Sequence, residues 1–305
     1  MAYPDLPQSV KTKLAASSMR WRHRYWHLVK NAGFVNNPAN TLIIQRLYDI
    51  GWSAVLTGED GGGLDFLFMH REMIKNANSL LSSAGSIDWP NISGWPNIPT
   101  MADGPDWPEP AIQDLGDPEK WPADLRPTMQ GIFNARSTSE VERNLEIAET
   151  LRDEAFLKRP DITLDRYGFL LEATVHNWMH MRFSSAPPQN TEALESSNDW
   201  LARPFSSHVN PYFWKLHGWI EDCISLWEAT RDEVADLSSA WRPPEYAPPI
   251  SELLSPAAPG DFSTSAFSVD PAHSIEQFLN SANQSLNLGF TTSPKNQQRA
   301  AELLS

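Results

Sequence analysis

Apolar residues recur every three to four positions over several long stretches, which is the spacing of one face of an α-helix. In the first stretch Trp21, Tyr25 and Leu28 share a face. The predicted helices cover residues 12–31, 42–50, 64–81, 137–158, 163–183 and 209–230, with two further helices at 274–286 and 294–304. Ser139 and Glu142 fit a capping box at the start of the fourth helix. We therefore expect a mainly α protein.

Two parts of the chain break this pattern. Residues 82–130 contain four Trp-Pro pairs, and proline is excluded from helix interiors because it lacks an N–H and clashes with the preceding turn. We expect a long irregular insertion held by buried tryptophans; the alternative is a wall or lid over a pocket. Proline and serine dominate from residue 241 onward. The chain is thus interpreted as one domain over residues 1–240 and a tail over 241–305 packed on it.

Composition excludes some classes of function. The chain has 305 residues and a net charge of −14, which disfavours binding to a phosphate backbone. Cys223 is the single cysteine, so no intramolecular disulfide can form, and we expect it to be a small buried residue. Residues 1–17 lack the apolar run of a secretory signal, and no stretch reaches the roughly 18 apolar residues of a membrane span. A cytoplasmic location is expected; export with a partner protein or by a fold-dependent route is the alternative.

The histidines carry the candidate chemistry. Two histidines four apart project from one helix face, so their imidazoles can bind one metal ion, with a third imidazole coming from another helix. Neutral imidazole suits copper, zinc, iron or nickel, so this pattern alone does not choose the metal. Six of the eight histidines form two groups of this kind: His23, His27 and His70, and His176, His180 and His217. The other two, His208 and His273, are expected to lie outside the ligand set; the alternative for His208 is that it approaches the site, since it lies just before the helix of His217.

Sequence around these histidines is similar to that of a known family. The second half contains His176-Asn177-x-x-His180 and Asn210-Pro211-x-Phe213-x-x-x-His217-x-x-Ile220-Glu221-Asp222, and the first half contains Trp26-His27-Leu28-Val29 and Leu67-Phe68-Met69-His70. On these residues the chain resembles the type 3 copper proteins, which include tyrosinases, catechol oxidases, arthropod prophenoloxidases and hemocyanins. The similarity covers roughly residues 15–82 and 163–230. Asn210 and Glu221 stand where the family usually has aspartate.

The resemblance implies an antiparallel four-helix bundle that holds a dinuclear copper site. The first copper would be bound by His23, His27 and His70, and the second by His176, His180 and His217. Such a site uses O2 to hydroxylate a phenol at the ortho position, or to oxidise a catechol or o-aminophenol to a quinone-type product. The alternatives are a hemocyanin-like protein that binds O2 without turnover, and a mononuclear copper or zinc protein with a degenerate first site.

Two further residues are implied in catalysis. Glu172 lies one helical turn before His176, and Asn177 follows it; in tyrosinase-like members such a pair holds a water that accepts the phenol proton. The alternative is that Glu172 forms an ion pair with Arg166 or Arg182 and that Asn177 only orients a ligand. The expected partners are a small phenolic substrate and a copper-delivery protein, not nucleic acid or membrane. The sequence leaves the oligomeric state open.

Overall fold

The computed structural model describes residues 4–100, 109–110, 112–255 and 292–305. These residues contain helices and loops and no β-strand, which confirms the prediction of a mainly α protein. The helices are α1 (Gln8–Leu14), α2 (Ser17–Lys30), α3 (Ala32–Val35), α4 (Thr41–Asp49), α5 (Gly62–Ala84), α6 (Arg126–Asn134), α7 (Thr138–Thr150), α8 (Glu154–Leu157), α9 (Leu164–Leu171), α10 (Asn177–Arg182), α11 (Pro211–Arg231), α12 (Ile250–Leu253) and α13 (Pro294–Leu304).

The first predicted helix is two helices. The chain breaks between α1 and α2, where Ala16 takes an extended conformation with ψ of 141°. The fully buried Arg20 stabilises the break, because its Nε donates to the carbonyl oxygen of Ala15 at 3.0 Å. Its Nη1 and Nη2 donate to backbone carbonyls at positions 195, 198 and 205. Arg20 therefore ties the start of α2 to the loop that precedes α11.

Helices α5 and α9 cross at a pair of glycines. A Cβ atom on Gly168 would lie 2.4 Å from the carbonyl oxygen of Gly63, so only glycine lets the two backbones approach this closely. The carboxylate of Asp165 accepts hydrogen bonds from three backbone N–H groups at the start of α5, at 3.0, 2.9 and 3.1 Å. These contacts fix α5, which carries His70, against the segment that carries His176.

The segment predicted as one helix over residues 163–183 has three parts. Thr163 caps α9 by accepting from the N–H of Arg166, and a π-helical turn, Glu172–His176, joins α9 to α10. Periodicity did not predict this turn, since one inserted residue barely alters the apolar pattern. Single π-turns inside α-helices occur often at functional sites. Here the turn contains Glu172 and ends at His176.

Side-chain caps begin two other helices. Asn210 caps α11 by accepting from the N–H of Tyr212 at 2.8 Å, as the Asn-Pro pair indicated. The cap of α7 is Ser137, which accepts from the N–H of Glu140. The predicted capping box of Ser139 and Glu142 is therefore wrong by two residues, because Ser137 and Glu140 have the same spacing and the helix starts at that earlier serine.

The described part of the insertion is irregular and anchored by buried tryptophans, namely Trp89, Trp95 and Trp121. Trp121 Nε1 donates to the carbonyl of Leu115 at 3.0 Å. Gly94 lies against Gly218 of α11, where a Cβ would meet backbone atoms at 2.3 Å. The pair Trp107-Pro108 lies outside the described residues.

The described parts of the tail contact the body of the protein. Tyr25 donates from its hydroxyl to the carbonyl of Pro248 at 2.8 Å, and Trp52 Nε1 donates to the carbonyl of Tyr246 at 3.0 Å. Helix α13 matches the prediction for residues 294–304, whereas the predicted helix at 274–286 and His273 lie outside the described residues. Within the described ranges, none of the helices has the length and apolar content that crossing a bilayer requires.

Candidate metal centre

Seven histidines come together in the interior. The four helical segments α2, α5, the π-turn with α10, and α11 lie side by side, an arrangement compatible with the predicted four-helix bundle. The seven are His23 and His27 from α2, His70 from α5, His176 from the π-turn, His180 from α10, His208 from the short turn Ser207–Val209, and His217 from α11. All except His27 are almost completely buried.

Oxygen atoms fix the ring orientation of four of these histidines. The Nδ1 contacts are His70 to the Phe66 carbonyl (2.5 Å), His180 to the Leu201 carbonyl (2.9 Å), His217 to the Phe213 carbonyl (2.6 Å) and His176 to Asn177 Oδ1 (3.1 Å). A carbonyl oxygen can only accept, so each Nδ1 carries the hydrogen. Burial lowers the pKa of all four rings, that of His176 to about 3, so the rings are neutral. In a neutral imidazole with hydrogen on Nδ1, Nε2 carries a lone pair.

Three of these lone-pair nitrogens face one another. The Nε2 atom of His176 lies 3.4 Å from Nε2 of His70 and 3.3 Å from Nε2 of His217. All three ligand atoms lie within 4.8 Å of one another in a buried site. A tetrahedral metal bound at about 2.0–2.1 Å spaces its nitrogen ligands about 3.3 Å apart. These residues, which we call the three-nitrogen group, therefore fit one metal ion.

This group combines the two expected sets of ligands. His70 was expected with His23 and His27, but its Nε2 lies with those of His176 and His217. The rings of His70 and His217 are stacked, with centroids 4.5 Å apart and planes 13° apart. The two expected sets are thus in direct contact through His70.

His180 lies at the edge of the three-nitrogen group. Its ring centroid is 4.6 Å from that of His176 and 5.4 Å from that of His217. Burial lowers the pKa of His23, and the nearby imidazoles of His27, His208 and His180 lower it further. His180 is therefore close enough to His23 to affect it electrostatically.

His23 and His27 form the second part of the cluster, which we call the histidine pair. Their Nε2 atoms are 3.2 Å apart, and Nδ1 of His23 lies 3.1 Å from Nδ1 of His208. The ring of Phe213 lies between His23 and His217. It stacks on His217 at 3.7 Å between centroids and meets His23 edge-on at 5.4 Å.

A cavity of about 270 Å³ borders the histidine pair at His27. His27, Lys30, Thr57, Glu172 and Asn177 line it from the body of the protein. Four residues of the tail also line it, namely Thr292, Ser293, Pro294 and Asn296. The cavity thus brings together one residue of the histidine pair and both predicted catalytic residues.

Glu172 faces this cavity region with partners that differ from those considered from the sequence. Thr57 Oγ1 donates to Glu172 Oε1 at 3.1 Å, and Lys30 Nζ lies 4.0 Å from Glu172 Oε2. The described ion pairs of Glu172 involve neither Arg166 nor Arg182, because the turn points the carboxylate toward α2. Burial raises the pKa of Glu172, while Lys30 and the Thr57 hydrogen bond oppose the rise.

The side chain of Asn177 both contacts His176 and lines the cavity. Its Oδ1 accepts the hydrogen of His176 Nδ1, which is the orienting role considered as the alternative. Its side chain also lines the cavity next to Glu172.

The sequence interpretation missed two residues at the site. Lys30 follows His27 by three positions, so its place on the same helix face was available as a signal. No sequence signal indicated Thr57, which comes from a loop. His208 approaches the site, which was the alternative considered for it, and its contact is with His23. Cys223 is buried, as predicted, and burial raises its thiol pKa to about 12.

Comparison with known proteins does not identify the chain. No protein-family model matches it, and no curated protein is significantly similar to it.

Proposed function

We propose that this protein is a dicopper oxidoreductase. It uses O2 to hydroxylate a phenol at the ortho position, or to oxidise a catechol or o-aminophenol to a quinone-type product. The observation that carries the proposal is the convergence of three unprotonated Nε2 atoms in a buried site. Lone pairs that face each other without a proton between them repel, and a bound cation removes that repulsion.

The donor set supports a metal, and the sequence resemblance favours copper. His70, His176 and His217 would hold one ion. His23 and His27 would hold the other, with His180 as the sixth imidazole of the site. Two copper ions, when bound, would supply the electrons for a two-electron reduction of O2, which one ion alone cannot do.

The chain's own residues account for handling of the substrate proton. A cavity of about 270 Å³ has room for a single aromatic ring next to His27. Glu172 is the base that accepts the phenol proton, because its buried carboxylate has a raised pKa and lines that cavity. Lys30, whose Nζ lies 4.0 Å from Glu172 Oε2, opposes the rise in that pKa. Asn177 holds the His176 ring so that Nε2 points into the three-nitrogen group.

Copper reconstitution tests the proposal. The protein is loaded with Cu(I), freed of excess metal, and exposed to O2, and its copper content and near-ultraviolet absorption are recorded. We expect about two coppers per chain and an intense absorption band that appears only with O2. Turnover of tyramine or catechol by the same sample then separates an enzyme from an oxygen carrier. One copper per chain without the band would contradict the proposal.

A mononuclear copper or zinc protein is the second candidate. One observation favours it: among the described residues, only His70, His176 and His217 form a three-ligand group. The histidine pair supplies two nitrogens, so a degenerate second site would leave one metal per chain. The metal count in the reconstitution experiment distinguishes the two candidates.

A further inference from the structure

His208 forms a chain of contacts that ends at the histidine pair. Its Nε2 lies 2.9 Å from the carbonyl oxygen of Leu14, and its Nδ1 lies 3.1 Å from Nδ1 of His23. On the far side of the His23 ring, Nε2 lies 3.2 Å from Nε2 of His27. Both nitrogens of His23 therefore face other histidines, whereas four other rings of the cluster use Nδ1 on an oxygen atom.

Hydrogen positions along this chain follow from its first contact. The Leu14 carbonyl only accepts, so Nε2 of His208 carries a hydrogen. The ring is almost completely buried, and its described hydrogen bonds are to a carbonyl oxygen and an imidazole, not to a carboxylate, so the ring is neutral because an unpaired buried charge is strongly disfavoured. Nδ1 of His208 is then an acceptor, and the hydrogen in its contact with His23 must belong to Nδ1 of His23.

We propose that His208 is a positioning residue that holds His23 in the tautomer with hydrogen on Nδ1, and so directs the Nε2 lone pair of His23 toward His27. This places His23 in the same tautomer as His70, His176, His180 and His217. Without this contact the hydrogen of His23 can sit on either ring nitrogen. With it, Nε2 of His23 keeps its lone pair and can bind a metal.

Burial and hydrogen bonds of neighbouring residues hold His208 in place. The residue is almost completely buried in the turn Ser207–Val209. Trp214 Nε1 donates to its backbone carbonyl at 3.0 Å. Arg20 ties the end of α1 to the loop before α11, and this fixes Leu14 relative to His208. Outer partners of metal-binding histidines commonly fix ring orientation in this manner, and losing one typically weakens metal binding 10–100-fold.

Two variants at position 208 test the proposal. His208→Phe keeps a ring of similar shape but has no acceptor for the His23 hydrogen. His208→Gln is the matched control, since its amide oxygen can accept that hydrogen. The first readout is the tautomer of His23 in the metal-free protein, from ¹⁵N–¹H NMR of histidine-labelled samples, assigned with a His23→Asn variant.

We expect hydrogen on Nδ1 of His23 in the unsubstituted protein and in His208→Gln. In His208→Phe we expect a shift of His23 to the tautomer with hydrogen on Nε2. Hydrogen on Nε2 of His23 in the unsubstituted protein would overturn the proposal. A folded His208→Gln variant with hydrogen on Nε2 of His23 would also overturn it. This second outcome can be measured even if His208→Phe does not fold.

The second readout is Zn²⁺ affinity, measured by competition with a chromophoric chelator, and this readout rests on the proposed function. We expect His208→Phe to weaken one binding step about 10–100-fold, and His208→Gln to restore most of it. An unchanged affinity in a folded His208→Phe variant would count against the proposal. If the unsubstituted protein binds no metal, the proposed function fails, while the tautomer readout still decides the role of His208.

Discussion

The three-nitrogen group and the histidine pair orient their rings by different means. His70 and His217 each contact the carbonyl of a phenylalanine four residues earlier on the same helix, and each ring packs against the ring of that phenylalanine. His23 instead depends on His208, which is remote in the sequence. The first arrangement forms wherever the helix forms. The second requires that α2 and the turn before α11 already lie together.

We therefore expect the three-nitrogen group and the histidine pair to respond differently to substitutions. The three-nitrogen group depends on the spacing of α5 and α9, whose backbones approach closely at Gly63 and Gly168, and on the position of α11. The histidine pair lies within one helix and depends on its neighbour His208. Two experiments test this separation, and two more test the cavity beside His27.

The largest expected effect is on metal content. His176→Ala removes the nitrogen that contacts both His70 and His217, so we expect the three-nitrogen group to lose its metal. The affinity should fall beyond the 10–100-fold typical of an outer partner. His27→Ala is the matched variant in the pair and should leave that group occupied. Metal analysis after dialysis, with competition titration, measures both; equal losses in the two variants would show one inseparable site.

Glu172→Gln should separate the two oxidation reactions. The glutamine cannot accept the phenol proton, so phenol hydroxylation should fall about 100-fold, the lower end of general-base effects. Catechol oxidation should change only a few-fold. Thr57→Val is the control, because it removes one hydrogen bond to the carboxylate but leaves the base in place. Rates on tyramine and catechol are the measurement, and equal losses on both would argue against Glu172 as the base.

Gly168→Ala should damage the three-nitrogen group alone. The new Cβ would lie 2.4 Å from the Gly63 carbonyl, so α5 and α9 must separate. We expect a loss of about 1–3 kcal/mol in the free energy of unfolding, as for other overpacked sites. Metal binding by His70, His176 and His217 should weaken.

Ser82→Ala, on the exposed end of α5, is the control for that experiment. Urea unfolding and metal competition measure the two effects. The idea of separate parts fails if Gly168→Ala weakens the histidine pair as strongly as the three-nitrogen group.

The smallest effect concerns the tail that borders the cavity. Helix α13 is held by ion pairs of Lys295 with Glu59 (3.0 Å) and Arg299 with Asp60 (3.2 Å). Exposed pairs contribute about 0–1 kcal/mol each, so Glu59→Gln with Asp60→Asn should change stability little. Because four residues of the tail line the cavity, we expect a lower KM for catechol, by a few-fold, in the double variant.

Glu154→Gln is the matched control, since it breaks the exposed pair with Lys158 on α8, far along the chain from α13. An unchanged KM in the double variant, at low and high salt alike, would show that α13 does not limit access to the cavity.

Much of this protein was predictable from local pattern. Apolar spacing predicted the helices that carry His70 and His217, because helices of that length have a continuous buried face. The two His-x-x-x-His patterns indicated a metal site, and Asn210-Pro211 marked the start of α11. The break after Leu14 was not predictable, since the contacts of Arg20 that stabilise it involve residues far away in the sequence.

The sequence by itself determined which residues could bind metal and on which helices they lie, because helical geometry relates neighbours three and four positions apart. Only the tertiary structure decided which histidines meet. His70 joins His176 and His217 because two glycines let α5 and α9 approach, and Glu172 turns toward Lys30 because of a π-turn that apolar spacing does not reveal. Contacts between distant segments depend on how whole helices pack, and no short-range pattern encodes that.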